Sequence, residues 1–207
     1  PLNKEEVMTA IRQDLPTDLS EVFVDFSKEP LASGSVAQTH RARLLSGQEV
    51  IIKIQRPGID DIVKEDIQLL IKLARHIPKH FISMVDVQEV LENLCETLIK
   101  ELDFKNEAEA MKRFRANNKR VVCLGVPEVY DEFTTPHLIV EEYINGIPLN
   151  HYSQLLEAGY DLEDVGKKLM LSFIKQVFKD GYFHGDPHPG NLLVRDGKIY
   201  FIDFGIM

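Results

Sequence analysis

The sequence predicts an α+β fold, because its strand-like and helix-like segments come in blocks. Segments 36–45 and 49–54 flank Ser46-Gly47, and a small-residue turn between two such segments indicates a hairpin. Segments 86–118 and 161–180 carry apolar residues at helical spacing. The predicted strands and helices do not alternate strictly along the chain, as they would in a protein built on a parallel sheet.

The remaining elements follow from local signals along the chain. Asn3 is followed three residues later by Glu6, a capping pattern for a helix that ends near Asp14. The apolar face of segment 86–118 changes near Glu101–Asp103, so a bend is expected there. The other predicted elements are a strand at 22–26, a small-residue turn at 32–35, a helix at 60–77 ending before Pro78, strands at 126–130 and 137–143, and strands at 191–195 and 198–202 around Asp196-Gly197.

Composition excludes several classes of protein. The 207 residues include 24 Lys and Arg against 33 Asp and Glu, a net charge of -9, which argues against nonspecific nucleic-acid binding. Cys95 and Cys123 form no Cys-x-x-Cys pair, so a disulfide scaffold and a four-cysteine zinc site are excluded and a reducing compartment is expected. No apolar run approaches the ~18 residues of a membrane-spanning helix, and no signal-peptide pattern is present.

The most informative stretch runs from His184 to Asn191 and continues after a predicted hairpin to Asp203. Asp186 and Asn191 lie on a loop rich in proline and glycine, which fixes its conformation. A carboxylate, an amide oxygen and a second carboxylate would then converge from three segments. Phosphoryl transfer uses such a set: one Asp orients the nucleophile, while Asn and a second Asp hold Mg2+ on the nucleotide phosphates.

Two other interpretations of these residues stay open at this stage. Asp, Asn and Gly are common turn residues, so each alone could be merely a loop residue. His184, Asp186 and His188 alternate and could instead hold a transition metal, although that leaves Asn191 and Asp203 unexplained. His76 and His80 are spaced as on a zinc-binding helix, but Pro78 between them breaks that helix.

Lys53 is the candidate cation for the phosphates, since it interrupts the apolar strand Val50–Ile54. A lysine there either faces solvent or is buried and paired, because unpaired burial is costly. Glu107 is the favoured partner, with Glu101 and Asp103 as rivals. A solvated acidic helix surface is the simpler alternative for all three carboxylates.

The small residues Ala32, Ser33, Gly34 and Ser35 stand where a phosphate-covering glycine-rich loop would lie. Small side chains allow the backbone to approach a phosphate closely. Ala32 and Ala37 occupy the places of the outer glycines, so this loop alone is a weak signal.

Together these motifs resemble the UbiB/ADCK family of atypical kinase-like proteins, which is tied to coenzyme Q (ubiquinone) biosynthesis. The segments that carry the resemblance are Pro30–His40, Lys53–Gly58, Glu101–Asp103 with Glu107-Ala108, His184–Asn191 and Asp203–Gly205. The resemblance implies a protein-kinase-like two-lobed fold, with a β-rich N-lobe carrying inserted helices at about 15–142 and the start of a helical C-lobe at about 143–207. Residues 1–207 would then be a single kinase-like domain fragment, truncated just after the Asp-Phe-Gly motif.

The same resemblance implies roles for individual residues. Lys53 corresponds to the nucleotide lysine, Glu107 to its helix partner and Asp186 to the catalytic Asp. Asn191 and Asp203 correspond to the metal ligands. The hinge that binds adenine would be Glu142, Tyr143 and Ile144, and the family's Glu-x-Asp motif would be Glu101 and Asp103.

The function implied is that of an ATP- and Mg2+-binding ATPase or atypical kinase that supports quinone-lipid synthesis. Quinone-lipid intermediates or biosynthetic enzymes would be its partners, and nucleic acid would not. The full-length protein would be cytoplasmic or peripheral on a membrane, attached through segments outside this chain. Two alternatives stay open: a small-molecule phosphotransferase of the aminoglycoside or choline kinase type, and a nucleotide-binding regulatory scaffold without catalysis.

Overall fold

The computed structural model of the chain describes residues 2, 4–15, 19–27, 29–74 and 87–207. Within them, the helices are α1 (Lys4–Asp14), α2 (Leu19–Val22), α3 (Ile59–Ala74), α4 (Val87–Glu101), α5 (Phe104–Asn117), α6 (Tyr152–Glu157) and α7 (Leu162–Lys175). The strands are β1 (Phe23–Phe26), β2 (Ala32–Ser33), β3 (Ala37–Leu44), β4 (Glu49–Gln55), β5 (Leu124–Gly125), β6 (Leu138–Glu142), β7 (Ile147–Pro148), β8 (Leu192–Arg195) and β9 (Lys198–Phe201). This composition confirms the predicted α+β class.

The first sheet is antiparallel and has the order β1-β3-β4-β6, with β2 also pairing with β3. The predicted β3–β4 hairpin forms because Gly47 adopts the left-handed φ of 94° that the turn requires. In β4 the side chains alternate, so that Val50, Ile52 and Ile54 are buried on one face. Lys53 is consequently directed to the opposite face.

The second sheet has the order β5-β9-β8-β7, with β5 parallel to β9. Its β8–β9 hairpin turns at Asp196 (φ 51°) and Gly197 (φ 73°), and two consecutive positive φ angles are what a two-residue hairpin turn needs. The hairpin places Asn191 opposite Ile202, whose amide donates to the Asn191 carbonyl at 2.9 Å. Residues 191 and 203 are thereby brought to the same end of this sheet.

The described residues form two hydrophobic clusters. In the first, α1 packs through Val7 and Ile11 against the face of the first sheet that includes Ile52. In the second, α5 packs against the second sheet, and Phe114 lies 5.1 Å from Phe201 between ring centroids. Helix α5 therefore shares a core with the second sheet, although its N-terminal half reaches the first.

Several predicted bounds change in the structure. The bend in segment 86–118 is confirmed, because α4 ends at Glu101 and Asp103 caps α5 by accepting from the Lys105 amide at 2.9 Å. Helix 161–180 is α7 followed by a π-helical turn at Gln176–Asp180, which ends at Gly181 with φ 58°. The strand predicted at 126–130 is wrong: pairing is limited to β5 and an isolated bridge between Val129 and Glu141. Helices α2 and α6 were not predicted, and the end of helix 60–77 lies outside the described residues, as do His76 and His80.

Candidate active site

Lys53 is paired with Glu107, the partner that the sequence favoured. Lys53 Nζ donates to Glu107 Oε1 at 2.5 Å, and the side chains are only 14% and 7% exposed. Burial alone would lower the pKa of Lys53, but the carboxylates of Glu107, Glu141 and Asp203 outweigh burial and raise it. Lys53 therefore stays a cation inside the protein.

Of the rival carboxylates, Asp103 serves as the cap of α5 and Glu101 is the last residue of α4. The alternative of a solvated acidic helix surface is excluded for Glu107, which is buried.

Glu107 also connects the Lys53 pair to the Asp-Phe-Gly segment. Its Oε1 accepts from the Phe204 amide at 3.0 Å, across 97 residues of sequence. The Phe204 side chain is buried in the second cluster, where its ring lies 5.2 Å from that of Phe114. One carboxylate thus fixes the lysine of the first sheet and the backbone beside Asp203.

A second carboxylate near Lys53, Glu141, was not predicted as a site residue. It lies on β6 opposite Ile51 of β4, on the face that carries Lys53. Glu141 Oε1 is 3.7 Å from Lys53 Nζ, and its Oε2 is buried without a hydrogen-bond partner among the described residues. Burial raises the pKa of Glu141 to about 7, against the lowering effect of Lys53.

The small-residue loop is held in place by Arg56, which was not predicted as a site residue either. Ala32 and Ser33 pair with β3, and the Gly34 amide donates to Ala37 O at 2.9 Å. Arg56 donates to Gly34 O at 3.0 Å and to Ser33 Oγ at 2.9 Å. The loop that would cover a phosphate is therefore fastened to the strand that carries Lys53.

Asp186, Asn191 and Asp203 lie at one end of the second sheet. Asn191 Nδ2 donates to Asp186 Oδ2 at 3.1 Å and to Asp186 O at 3.2 Å. The β8–β9 pairing places Asp203 one residue beyond the Ile202 amide that bonds to Asn191. Two carboxylates and an amide oxygen form the hard oxygen set that Mg2+ prefers, so the residues fit this ion.

The backbone around this oxygen set is constrained. Asp203 has φ 66°, a left-handed conformation that costs a residue with a side chain about 1 kcal/mol or more. Gly185 donates to Ile206 O at 2.8 Å, and a Cβ at Gly185 would lie 2.6 Å from Ile206 Cγ2. This close approach explains why glycine precedes Asp186.

The predicted hinge, Glu142–Ile144, follows β6 directly. The Glu142 amide donates to Glu128 O at 2.7 Å, and the Tyr143 amide donates to Glu49 O at 3.0 Å. The Tyr143 ring lies under the Arg41 guanidinium at 4.2 Å, and Ile144 is buried. The segment is thus an ordered connection between the two sheets.

The histidines of this region have structural surroundings. His184 is buried, and its ring lies 5.2 Å from the Phe204 ring and 5.4 Å from the Phe201 ring. Burial lowers the pKa of His184, so the ring is neutral at pH 7. His188 Nδ1 accepts from the Gly190 amide at 3.1 Å. In the described part of the chain, no three His, Cys, Asp or Glu side chains are grouped so that they could hold a metal ion.

A cavity of about 300 Å³ lies between α1 and the start of α3, and Arg56 is among the residues that line it. His137 borders it, with its ring 3.2 Å from Asp14 and 3.6 Å from Asp60. This cavity contains none of the residues predicted for nucleotide binding.

Among the residues that the structure describes, no helix is long and apolar enough to cross a membrane.

Sequence comparisons identify relatives that match almost the whole chain. The chain is 43% identical over 208 residues to an uncharacterized protein in the hydrogenase 1 5′ region of Clostridium pasteurianum, matching 100% of the chain and 39% of that protein. It is 38% identical over 196 residues to a probable protein kinase UbiB of Cellvibrio japonicus, matching 94% of the chain and 36% of the relative. The chain therefore spans well under half the length of these relatives.

Among solved structures, the chain is similar to Rv3197 of Mycobacterium tuberculosis in complex with erythromycin. The TM-score is 0.81 at 30% identity, covering 99% of the chain and 52% of Rv3197. The family model of the ABC1 atypical kinase-like domain matches residues 1–207, which confirms the resemblance to UbiB proteins and the kinase-like fold. This chain belongs to the ABC1 atypical kinase-like family.

Proposed function

We propose that the chain binds MgATP between its two sheets and catalyses phosphoryl transfer from it, most simply to water. The observation that carries the proposal is the buried Lys53–Glu107 pair, which is joined through Glu107 to the Phe204 amide. A buried lysine kept charged in this way is suited to binding phosphate oxygens. The fastened loop at Ala32–Ser35 lies on the same sheet and would cover those phosphates.

Asn191 and Asp203 would hold Mg2+ through their side-chain oxygens, and bound Mg2+ would neutralise charge on the phosphates. Asn191 directs its amide nitrogen to Asp186, which turns its oxygen away from that carboxylate. Asp186 is exposed and would accept the proton of the attacking hydroxyl or water. The new bond to the γ-phosphorus forms as the bond to the departing ADP oxygen breaks.

In biological terms, we place this activity in support of ubiquinone or other quinone-lipid synthesis. The support is the family resemblance and the similarity to probable protein kinases UbiB. Quinone-lipid intermediates or the enzymes that process them are the proposed partners, and membrane association would come from segments outside this chain. Phosphorylation of a protein or a small molecule, and a scaffold role without turnover, are the competing functions.

The test is a titration of the chain with MgATP, together with an assay of phosphate release. Lys53→Ala and Asp203→Asn should each weaken MgATP binding by at least about tenfold, whereas Asp186→Asn should retain binding and lose hydrolysis. Asp196→Asn is a matched control for Asp203→Asn, because Asp196 also has a positive φ and lies on an exposed hairpin turn. Undiminished MgATP affinity in both Lys53→Ala and Asp203→Asn would refute the proposal, and binding without any Asp186-dependent turnover would favour the scaffold.

A further inference from the structure

Glu141 is a buried carboxylate that the roles proposed above do not use. It is 3% exposed, and its Oε2 has no hydrogen-bond partner among the described residues. A buried unpartnered carboxylate oxygen costs stability, so its presence calls for an explanation. Because β4 and β6 pair Ile51 with Glu141 and Lys53 with Ile139, Glu141 lies between Lys53 and the predicted hinge on the same face.

The charges around Lys53 are unbalanced. Three carboxylates act on its ammonium group: Glu107 from α5, Glu141 from β6 and Asp203 from the segment after β9. Glu107 alone already forms the short ion pair, at 2.5 Å, while Glu141 approaches Nζ only to 3.7 Å. The second carboxylate therefore adds negative charge where a phosphate would need a free cation.

We propose that Glu141 is an affinity-determining residue that competes with phosphate for Lys53, so that nucleotide binding is accompanied by proton uptake at its carboxylate. This inference rests on the proposed function, since it needs a phosphate-bearing ligand at Lys53. An ionised Glu141 repels the phosphates and holds Lys53 toward β6. A protonated Glu141 does neither, and it leaves Glu107 to orient the lysine.

The electrostatic surroundings of Glu141 support this coupling. Its pKa is raised to about 7 by burial and by Glu107 and Asp203, and Lys53 opposes the rise. Both protonation states are therefore populated near neutral pH. A phosphate that draws Lys53 toward itself weakens the pKa-lowering effect of Lys53 on Glu141, and it also adds negative charge nearby. Both effects favour the protonated form of Glu141.

The experiment compares wild-type chain, Glu141→Gln and Glu141→Met at pH 6, 7 and 8, with MgATP, MgADP and adenosine as ligands. Glu109→Gln is the matched control, because it removes one charge from an exposed position on α5. At pH 8 both Glu141 variants should bind MgATP and MgADP at least about tenfold more tightly than wild type, a size typical of one nearby charge. The difference in MgATP and MgADP affinity between the variants and wild type should shrink toward pH 6, and the affinity for adenosine should be unchanged. Calorimetry in two buffers of different ionisation enthalpy should show proton uptake on nucleotide binding in wild type alone.

The outcomes separate the two proposals. If wild type binds neither MgATP nor MgADP at any pH, the proposed function fails and this inference fails with it. If wild type binds them but the Glu141 variants bind equally or more weakly, Glu141 is not a competitor and the inference alone is overturned. Should one variant fail to fold, the other variant and the proton count of the wild type decide the question.

Discussion

Replacing Glu107 by Gln removes the carboxylate nearest to Lys53 while preserving the shape of the side chain. The Nζ–Oε1 distance is 2.5 Å and both side chains are largely buried. Removing one partner of a buried ion pair costs ~3–5 kcal/mol of unfolding free energy in other proteins. Glu141, whose Oε1 is 3.7 Å from the same Nζ, can take over part of the compensation. We therefore expect Glu107→Gln to lose only ~1–3 kcal/mol.

A double-mutant cycle measures that compensation. Glu141→Gln alone should stabilise the chain at pH 8. Glu107→Gln/Glu141→Gln should be destabilised by ~2 kcal/mol more than the sum of the single changes, because Lys53 would lose both carboxylates that pair with it and keep only the more distant charge of Asp203. Urea unfolding followed by circular dichroism at pH 8 gives these free energies, with Glu109→Gln as an exposed control on the same helix. Strict additivity would refute the view that the two carboxylates share the lysine.

Three further predictions concern pH and the loops of the site. The pKa of Glu141 rises from 4.5 to about 7 on folding, so the folded state holds this proton more tightly, and the free energy of unfolding should fall by up to ~3 kcal/mol as the pH rises from 4.5 to 7. The free energy of unfolding of Glu141→Gln, measured over the same pH range, should lack this loss. The same pH dependence in wild type and variant would contradict this prediction. Arg56→Gln should weaken MgATP binding about threefold to tenfold in calorimetry with little change in melting temperature, because two hydrogen bonds to the small-residue loop are lost. An unchanged MgATP affinity would show that the loop does not need these hydrogen bonds. Gly185→Ala should lower the melting temperature, because its Cβ would clash with Ile206. Gly34→Ala should leave the melting temperature unchanged, because its Cβ would meet only Ala37 O at 3.5 Å. Equal melting temperatures for the two variants would count against this reasoning.

The elements that the sequence predicted well are those with a strong period or a specific turn. The β3–β4 hairpin has alternating burial along β4 and a glycine at the turn, and the bend at Asp103 follows from a change of apolar face. Helices α2 and α6 have 4 and 6 residues, too few for a helical period to emerge. The strand at 126–130 was overestimated because an extended segment need not have a neighbour along its whole length.

The candidate site was predictable where a residue type was out of place in its surroundings. Lys53 inside an apolar strand would need a carboxylate partner if it were buried, and the structure supplies Glu107. Glu141 was missed because adjacent glutamates at 141 and 142 look alike in sequence, and only the β4–β6 register shows which one faces Lys53. A carboxylate directly continuing the apolar run of β6 was the signal that could have found it. Arg56 was missed because its partners are backbone and hydroxyl groups of a distant loop.

The sharing of α5 between the two halves of the molecule has a mechanical consequence. The buried apolar residues of α5 belong to the core of the second sheet. Lys175 of α7 binds the C-terminal end of α5 by donating to Asn117 O and Asn118 Oδ1, each at 3.0 Å. The helix also meets the first sheet, because Phe104 belongs to the same buried cluster as Ile139 of β6 and its amide donates to Pro136 O at 2.9 Å. Glu107 extends this connection by pairing with Lys53 of β4 and accepting from the Phe204 amide. A rotation of one sheet against the other would therefore have to break contacts of α5, so the position of Lys53 relative to Asp203 depends on this helix.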